Sequence, residues 1–198
     1  LNEAKDSKYA QSKVKGEKKI RENLLEATII KPSVVHSIDD NFTTKLLSLL
    51  RILPLFPLYY NGDTKFSPIH ASEVAELISF VISKRILFKD IEAIGPEVLS
   101  FKKIIKILLK SINKNRILLP LPLSFAKVLA FFFQLLPNPL LTVDQLRLLK
   151  YDNIKSEQGV TNFDIGCPSK ISFEESVNSY SYNWRDGGKY SIDKIRDL

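Results

Sequence analysis

The sequence holds no methionine, one cysteine, one tryptophan, two histidines and seven glycines in 198 residues. Without a methionine, Leu1 is not a translation start, and a fragment or processed chain is expected. A lone cysteine excludes a disulfide scaffold and a thiolate zinc cluster and fits a reducing compartment. His36 and His70 have no Asp, Glu or Cys partners at ligand spacing, so packing or loop roles are expected for both. Cys167, between Gly166 and Pro168, reads as a small turn or core residue. No Gly-x-Ser-x-Gly elbow and no phosphate loop of the Walker type is present. Long apolar runs are also lacking. The richest stretch, Ile117 to Leu141, is cut by Pro120, Pro122, Pro137 and Pro139. Its longest uninterrupted piece, Leu123 to Leu136, gives about 21 Å of helix against a hydrocarbon core of about 30 Å, which argues against a transmembrane helix.

What is present has the balance of a globular chain, with 44% hydrophobic and 26% charged residues. The formal charge of +7 is local. From Phe101 to Lys150 nine lysines and arginines face one acid, Asp144, and the rest of the chain is nearly neutral. This basic stretch carries no nucleic-acid-binding motif, so DNA and RNA are not expected partners. It overlaps the apolar run, whose helical piece is apolar on both faces through Phe125, Val128, Leu129, Phe132 and Phe133. Such a helix is either buried on two sides or lies against a membrane or partner surface.

The periodicity predicts helices over about 7–25, 41–53, 73–83 and 101–112, and helix starts near Val143 and Phe173. The helix at 41–53 rests on Phe42, Lys45, Leu46, Leu49 and Leu50. The clearest stripe is Phe101, Ile104, Ile105, Leu108, Leu109 and Ile112, capped by Ser100; Ser72 is the expected cap of the helix before it. Thr142-x-x-Gln145 and Ser172-x-x-Glu175 fit capping boxes. Short β-branched runs at Ala27–Lys31 and Ile91–Ile94, stopped by Pro32 and Gly95-Pro96, read as buried strands, with Arg116–Leu119 as a further candidate. A proline- and aromatic-rich connection and an Asn61-Gly62 turn separate the second and third helices. Alternating strands and helices argue an α/β architecture.

One pair stands out chemically. Tyr9 and Lys13, at i and i+4, share a helix face. An ammonium that close to a phenol favours its ionised form. A phenol so placed can exchange a proton with a carbonyl or alcohol. Alone, the pair is also what an ordinary exposed helix face shows.

Its surroundings carry more. Tyr9-Ala-x-Ser-Lys13-x-x-Gly-Glu17, followed by a strand ending Lys31-Pro32-Ser33-Val34-Val35, resembles the extended short-chain dehydrogenase/reductase superfamily. Further on, Ile69-His70-x-x-Glu73-Val-Ala75, Ile94-Gly-Pro-Glu97 and Asp164-Ile-Gly166-Cys-Pro168 are similar to later segments of that family, in the same order. Ser33-Val-Val, Asp40-Asn-Phe42, the Leu119-Pro-Leu-Pro-Leu run and Thr142-x-Asp144-Gln-x-x-Leu-Leu-Lys150-x-Asp152-Asn153 are most similar to an atypical branch. That branch contains the nucleotide-binding accessory subunit of respiratory complex I.

The resemblance implies the C-terminal part of a Rossmann-type NAD(P)-binding domain with a smaller, mainly helical substrate lobe. Residues 1–100 would be the back half of the nucleotide domain with inserted lobe elements, and residues 101–198 the substrate or interaction lobe. It implies Tyr9 and Lys13 as catalytic residues that also touch the cofactor, and Pro32, Ser33, Val34 and Val35 as the loop along the nicotinamide. The cofactor would be NAD(P), with NADPH favoured by the branch. The role would be structural or assembly-related, and the alternative an active oxidoreductase, epimerase or dehydratase on a nucleotide sugar, sterol-like or quinone-like substrate. Complex I or a membrane surface, met through residues 101–150, would be the partner. The location would be the mitochondrial matrix side or the cytoplasmic side of a bacterial inner membrane, not the secreted space. Two departures stand out: Lys31-Pro32 replaces an arginine-proline pair, and His36-Ser37 replaces an aromatic-glycine pair, restricting the backbone beside the nicotinamide. The family's Gly-x-x-Gly-x-x-Gly phosphate loop is missing from these residues, so by themselves they are not expected to bind NAD(P).

Overall fold

The computed structural model describes residues 4, 6–87, 89–122 and 143–190. The apolar piece Leu123–Leu136, its flanking Pro137 and Pro139, and the capping residue Thr142 lie outside them. Among the described residues no helix is long and apolar enough to cross a membrane.

Helix α1 (Lys8–Asn23) is followed by β1 (Ile29–Pro32), β2 (Val35–His36) and α2 (Thr43–Ile52). Next come β3 (Leu55–Tyr59), a 3-10 turn at Tyr60–Gly62, β4 (Lys65–Phe66), β5 (Ile69–His70) and α3 (Ala71–Ser83). The second half runs β6 (Asp90–Ala93), β7 (Leu99–Ser100), α4 (Phe101–Ser111), β8 (Ile117–Leu121), α5 (Val143–Leu148), β9 (Val160–Thr161) and α6 (Phe173–Tyr180). A 3-10 turn at Ser181–Trp184 and another at Gly188–Tyr190 close the described chain. The architecture is α/β, as expected.

The main sheet is parallel, in the order β1-β6-β9, with Ile30 opposite Ile91 and Pro32 opposite Ala93. Its central strand buries Ile91 and Ala93 against Ile69 and against Leu77 and Val81 of α3. Lys31 pairs with Glu17 at 2.7 Å and Asp90 at 2.9 Å, and Arg21 also reaches Asp90, tying α1 to the strands beside it. Three separate two-stranded sheets accompany it: β2 with β5 and β3 with β8, both parallel, and β4 with β7, antiparallel.

The larger core is helical and follows the periodicity closely in α4. All six stripe residues, Phe101 through Ile112, are buried, and Ser100 Oγ accepts from the Lys103 amide. They pack against Leu47 and Leu50 of α2 and Phe173, Val177 and Tyr180 of α6. In α2 the buried face is Thr43, Leu47 and Leu50, turned from the expected stripe, so that Lys45 faces out and Leu46 and Leu49 are only partly buried.

Two expectations need correction. The connection expected after α2 contains a strand, β3, in register with β8 so that Pro57 lies opposite Leu119 and Pro120 opposite Leu58. Proline cannot donate to a ladder, which hides such strands in the sequence. Second, α3 is capped by His70 rather than Ser72. The His70 Nδ1 accepts from the Ser72 amide at 3.2 Å.

The loop after β6 crosses the strand before β5 with no room to spare. Gly95 donates its amide to Ser67 O at 3.1 Å, and a Cβ there would stand 1.6 Å from Pro68 O. Gly95→Ala in the full-length protein should therefore cost about 3 kcal/mol in urea unfolding, as overpacking against backbone does. A loss below about 1 kcal/mol would contradict this close crossing.

Candidate functional site

Tyr9 sits in the first turn of α1, and its position is set by a carboxylate from far along the chain. Ser7 caps the helix, accepting from the Ala10 amide. Asp144 of α5 then accepts from Ser7 Oγ at 2.9 Å, the Lys8 amide at 2.9 Å and the Tyr9 amide at 3.2 Å. Nearby, the Tyr151 hydroxyl donates to Asp6 at 3.1 Å. Burial works to raise the Asp144 pKa, but the amides of Lys8 and Tyr9, the Ser7 hydroxyl and the Arg147 charge outweigh it and hold it below the carboxylate range. A negative charge at a helix amino terminus also meets the positive end of the helix dipole. One turn on, the Lys13 ammonium stands 5.5 Å from the centre of the half-exposed Tyr9 ring. The pair expected from the spacing is therefore a contact in space.

The four residues after Lys31 separate in role. Pro32 ends β1 opposite Ala93. Ser33 is buried and donates from Oγ to Asn153 O at 2.8 Å, so its hydroxyl is engaged with backbone. Val34 accepts from the Ile69 amide through its carbonyl, and its side chain lines the same cavity as Tyr9. Val35 starts β2 opposite Ile69 and packs into the core beneath the sheet. Tyr9 and Val34 are thus brought together, Ser33 holds the loop's backbone, and Lys13 and Val35 lie outside the cavity wall.

That cavity measures about 320 Å³. Its apolar wall comes from Phe42, Leu46 and Leu49 around α2, Phe66, Phe101 and Leu148; Asn41, Asp152 and Asn153 supply polar groups. Asp152 and Asn153 also extend the edge of β4. Asp152 accepts from the Lys65 amide at 2.8 Å, and the Asn153 amide donates to Lys65 O at 2.7 Å. Together these residues can hold a small molecule against the Tyr9 phenol and the Val34 loop, at the carboxyl end of β1 where ligands of parallel sheets bind. Among the described residues no glycine-rich turn is present that would seat a pyrophosphate.

Carboxylates clamp the remaining segments in the same way. Glu73, buried in the first turn of α3, accepts through Oε1 from the Lys170 amide and from the Ile171 amide at 2.9 Å. Glu97 accepts from the Phe173 amide at 2.8 Å. Two residues beyond Val34, His36 is fully buried, with neither ring nitrogen hydrogen-bonded. Its ring lies 5.3 Å from His70 and 5.1 Å from Phe173. Burial first, then the neighbouring His70, lower its pKa to about 4 against an opposing pull from Asp40. Among the described residues no group of His, Cys, Asp and Glu could hold a metal. Sequence reasoning gave Tyr9 and Lys13 but missed Asp144 and Glu73 as positioning groups, because their partners lie 97 to 137 positions away.

The α/β fold built on this parallel sheet is shared with solved NAD-binding epimerases and dehydratases. The UDP-glucose 4-epimerase of Thermus thermophilus, solved with NAD, superposes with a TM-score of 0.57 over 83% of this chain and 48% of its own, at 10% identity. The UDP-glucuronic acid 4-epimerase of Bacillus cereus, solved with UDP-glucuronic acid and NAD, gives 0.55 over 83% and 47%, at 12% identity. In sequence, the chain is similar to mitochondrial complex I subunits. It is 25% identical to the NADH dehydrogenase [ubiquinone] 1 alpha subcomplex subunit 9 of Arabidopsis thaliana, over 83% of this chain and 44% of that protein. It is 24% identical to its Dictyostelium discoideum counterpart, over 94% and 53%. The 40 kDa NADH-ubiquinone oxidoreductase subunit of Neurospora crassa is 23% identical over 94% and 49%. The chain thus spans about half the length of the curated relatives it matches. No family model matches it.

Two outcomes follow from the site's electrostatics. Asp144→Asn should cost about 1–2 kcal/mol at pH 7, as loss of a charged cap does. Because the folded-state pKa is depressed, Asp144 stabilises above its unfolded value and loses this as pH falls below it. The separation between the mutant and wild-type urea curves should therefore shrink as pH falls from the unfolded carboxylate value, about 4, through the lower folded one; curves equally separated at about pH 7 and pH 2 would remove the charge from the account. His36 likewise favours the folded state only when neutral. Stability should fall by roughly 3 kcal/mol as pH drops from about 6.5 towards 4. His36→Phe should flatten that window, and an unchanged slope would show that His36 is not its source.

Proposed function

We propose that these residues are the C-terminal part of an NAD(P)-binding, short-chain-dehydrogenase-like protein of the complex I accessory-subunit kind, in which the dinucleotide serves structure or assembly. Residues 1–100 form the back half of the nucleotide domain with inserted lobe elements, and residues 101–198 the interaction lobe. The observation that carries this reading is the convergence of Tyr9 and Val34 on one cavity at the carboxyl edge of a parallel sheet. The relatives support it through what they are named for. The edge position of β1 supports it as well, since further parallel strands of a nucleotide-binding sheet would pair there.

In this reading Tyr9 and Lys13 face the ribose and nicotinamide, with Pro32, Ser33, Val34 and Val35 as the adjoining loop. Bound NAD(P) would supply hydride chemistry; Tyr9 is the group that would exchange a proton with a substrate oxygen. NADPH is the proposed form of the cofactor. The proposed partner is respiratory complex I, approached through the basic segment 101–150, on the matrix side of the mitochondrial inner membrane or its bacterial equivalent. A second reading, an active oxidoreductase, epimerase or dehydratase, is favoured by the presence of a cavity against Tyr9.

Tyr9→Phe in the full-length protein separates the two. In the structural reading NADPH stays bound through purification and there is no nicotinamide-dependent turnover for the mutation to abolish. Turnover that falls about 10²–10⁴-fold on substitution would establish the enzyme instead. Lys13→Ala should weaken NADPH binding about tenfold in titration calorimetry, and unchanged affinity would remove Lys13 from the cofactor site.

A further inference from the structure

The cavity against Tyr9 has the wrong chemistry for a nucleotide sugar. A sugar nucleotide brings a diphosphate, which proteins meet with arginines, lysines or helix amino termini. Among the described residues lining this cavity the charged ones are Lys45 and Asp152, and they cancel. The cations of α4, Lys102, Lys103, Lys106 and Lys110, are not in its wall. The wall is instead mainly hydrocarbon and aromatic, with Asn41, Gln145 and Asn153 among its neutral polar groups. Phe42 and Phe101 flank Phe66, with ring centres 6.1 and 6.3 Å from it, and Leu46, Leu49 and Leu148 complete the surface. At about 320 Å³ the space lies at the small end of the ~300–1,000 Å³ range of small-molecule sites, which are mostly apolar with a few placed polar groups.

We propose that this cavity takes an uncharged, mainly apolar ketone or secondary alcohol, its oxygen towards Tyr9 and its hydrocarbon body against Phe42, Phe66 and Phe101. The orientation rests on the reading of Tyr9 as the proton-exchanging group; the ligand class rests on the wall alone. Such a molecule loses little on leaving water, because its single polar oxygen meets the phenol while the rest is buried against carbon. A diphosphate would lose its hydration with no net positive charge in return.

The test is titration calorimetry on the full-length protein, with and without NADPH, using the 2-ketones from heptanone to dodecanone and UDP-glucose. Affinity should rise about fourfold for each added methylene that is buried. UDP-glucose should neither bind in the cavity nor displace 2-dodecanone. Leu49→Trp and Leu148→Trp, each narrowing the cavity from a different helix, should weaken 2-dodecanone about tenfold or more, with thermal unfolding used to confirm that each variant is folded. A flat ketone series, displacement by UDP-glucose, or full affinity in both folded variants would overturn the proposal. Absent NADPH binding with an intact ketone series would instead sink the cofactor reading and leave the cavity assignment standing.

Discussion

The Asp144 carboxylate at the amino end of α1 is the interaction on which the site depends. It accepts three hydrogen bonds, from Ser7 Oγ and the amides of Lys8 and Tyr9. Those amides are among the four that every helix leaves without internal partners. A helix start satisfied by water could pivot; one satisfied by a side chain on α5 is fixed relative to the cavity wall that α5 itself supplies through Leu148. The carboxylate therefore sets where the phenol of Tyr9 sits, although it lies 135 positions further along the chain.

The same device recurs wherever regular pairing is short. β2, β4, β5, β7 and β9 are each two residues long, so sheet ladders alone give little hold. Glu73 and Glu97 fix the approach to α6, Asp152 extends β4, and Asp40 accepts from the amides of Ser37, Phe42 and Thr44 to set the start of α2. Hydrogen bonds to an ionised acceptor are roughly twice as strong as neutral ones, so one carboxylate can replace several ladder bonds. This gives the acids singled out by sequence pattern a physical role. Glu73 and Glu97 fasten backbone rather than touch the cavity, and Asp144 and Asp152 fasten the two elements that frame it.

How much of this is legible in the sequence follows from the range of each interaction. The stripe in α4, the caps at Ser100 and Ser172, and the strand cores at Ile30 and Ile91 are local patterns, and they appear where periodicity and capping chemistry place them. The Tyr9–Lys13 contact is also local, because i and i+4 meet on any helix. β3 is not, since its two-proline ladder with β8 has no signal until the partner strand is known. The His70 cap of α3 was hidden because Ser72 is the better cap by composition, while the backbone turned into the helix two residues earlier. The cavity is the least legible feature, being assembled from residues scattered between Ala4 and Asn153.

That scatter bears on which function the fold can perform. A parallel sheet edge beside a half-exposed tyrosine supplies a place for a ligand, but not by itself a reaction. The reaction depends on what the second wall accepts, and here that wall is three phenylalanines and the leucines of α2 and α5, without net charge. The solved neighbours share the fold, while among the described residues this second wall lacks the net positive charge that a sugar diphosphate needs. A shared fold can keep the edge that carries the loop from Pro32 to Val35 while the facing wall differs in chemistry. The buried ring of His36, two residues beyond Val34, packs against Phe173 and, kept neutral near pH 7 by its burial, adds no charge beside the cavity.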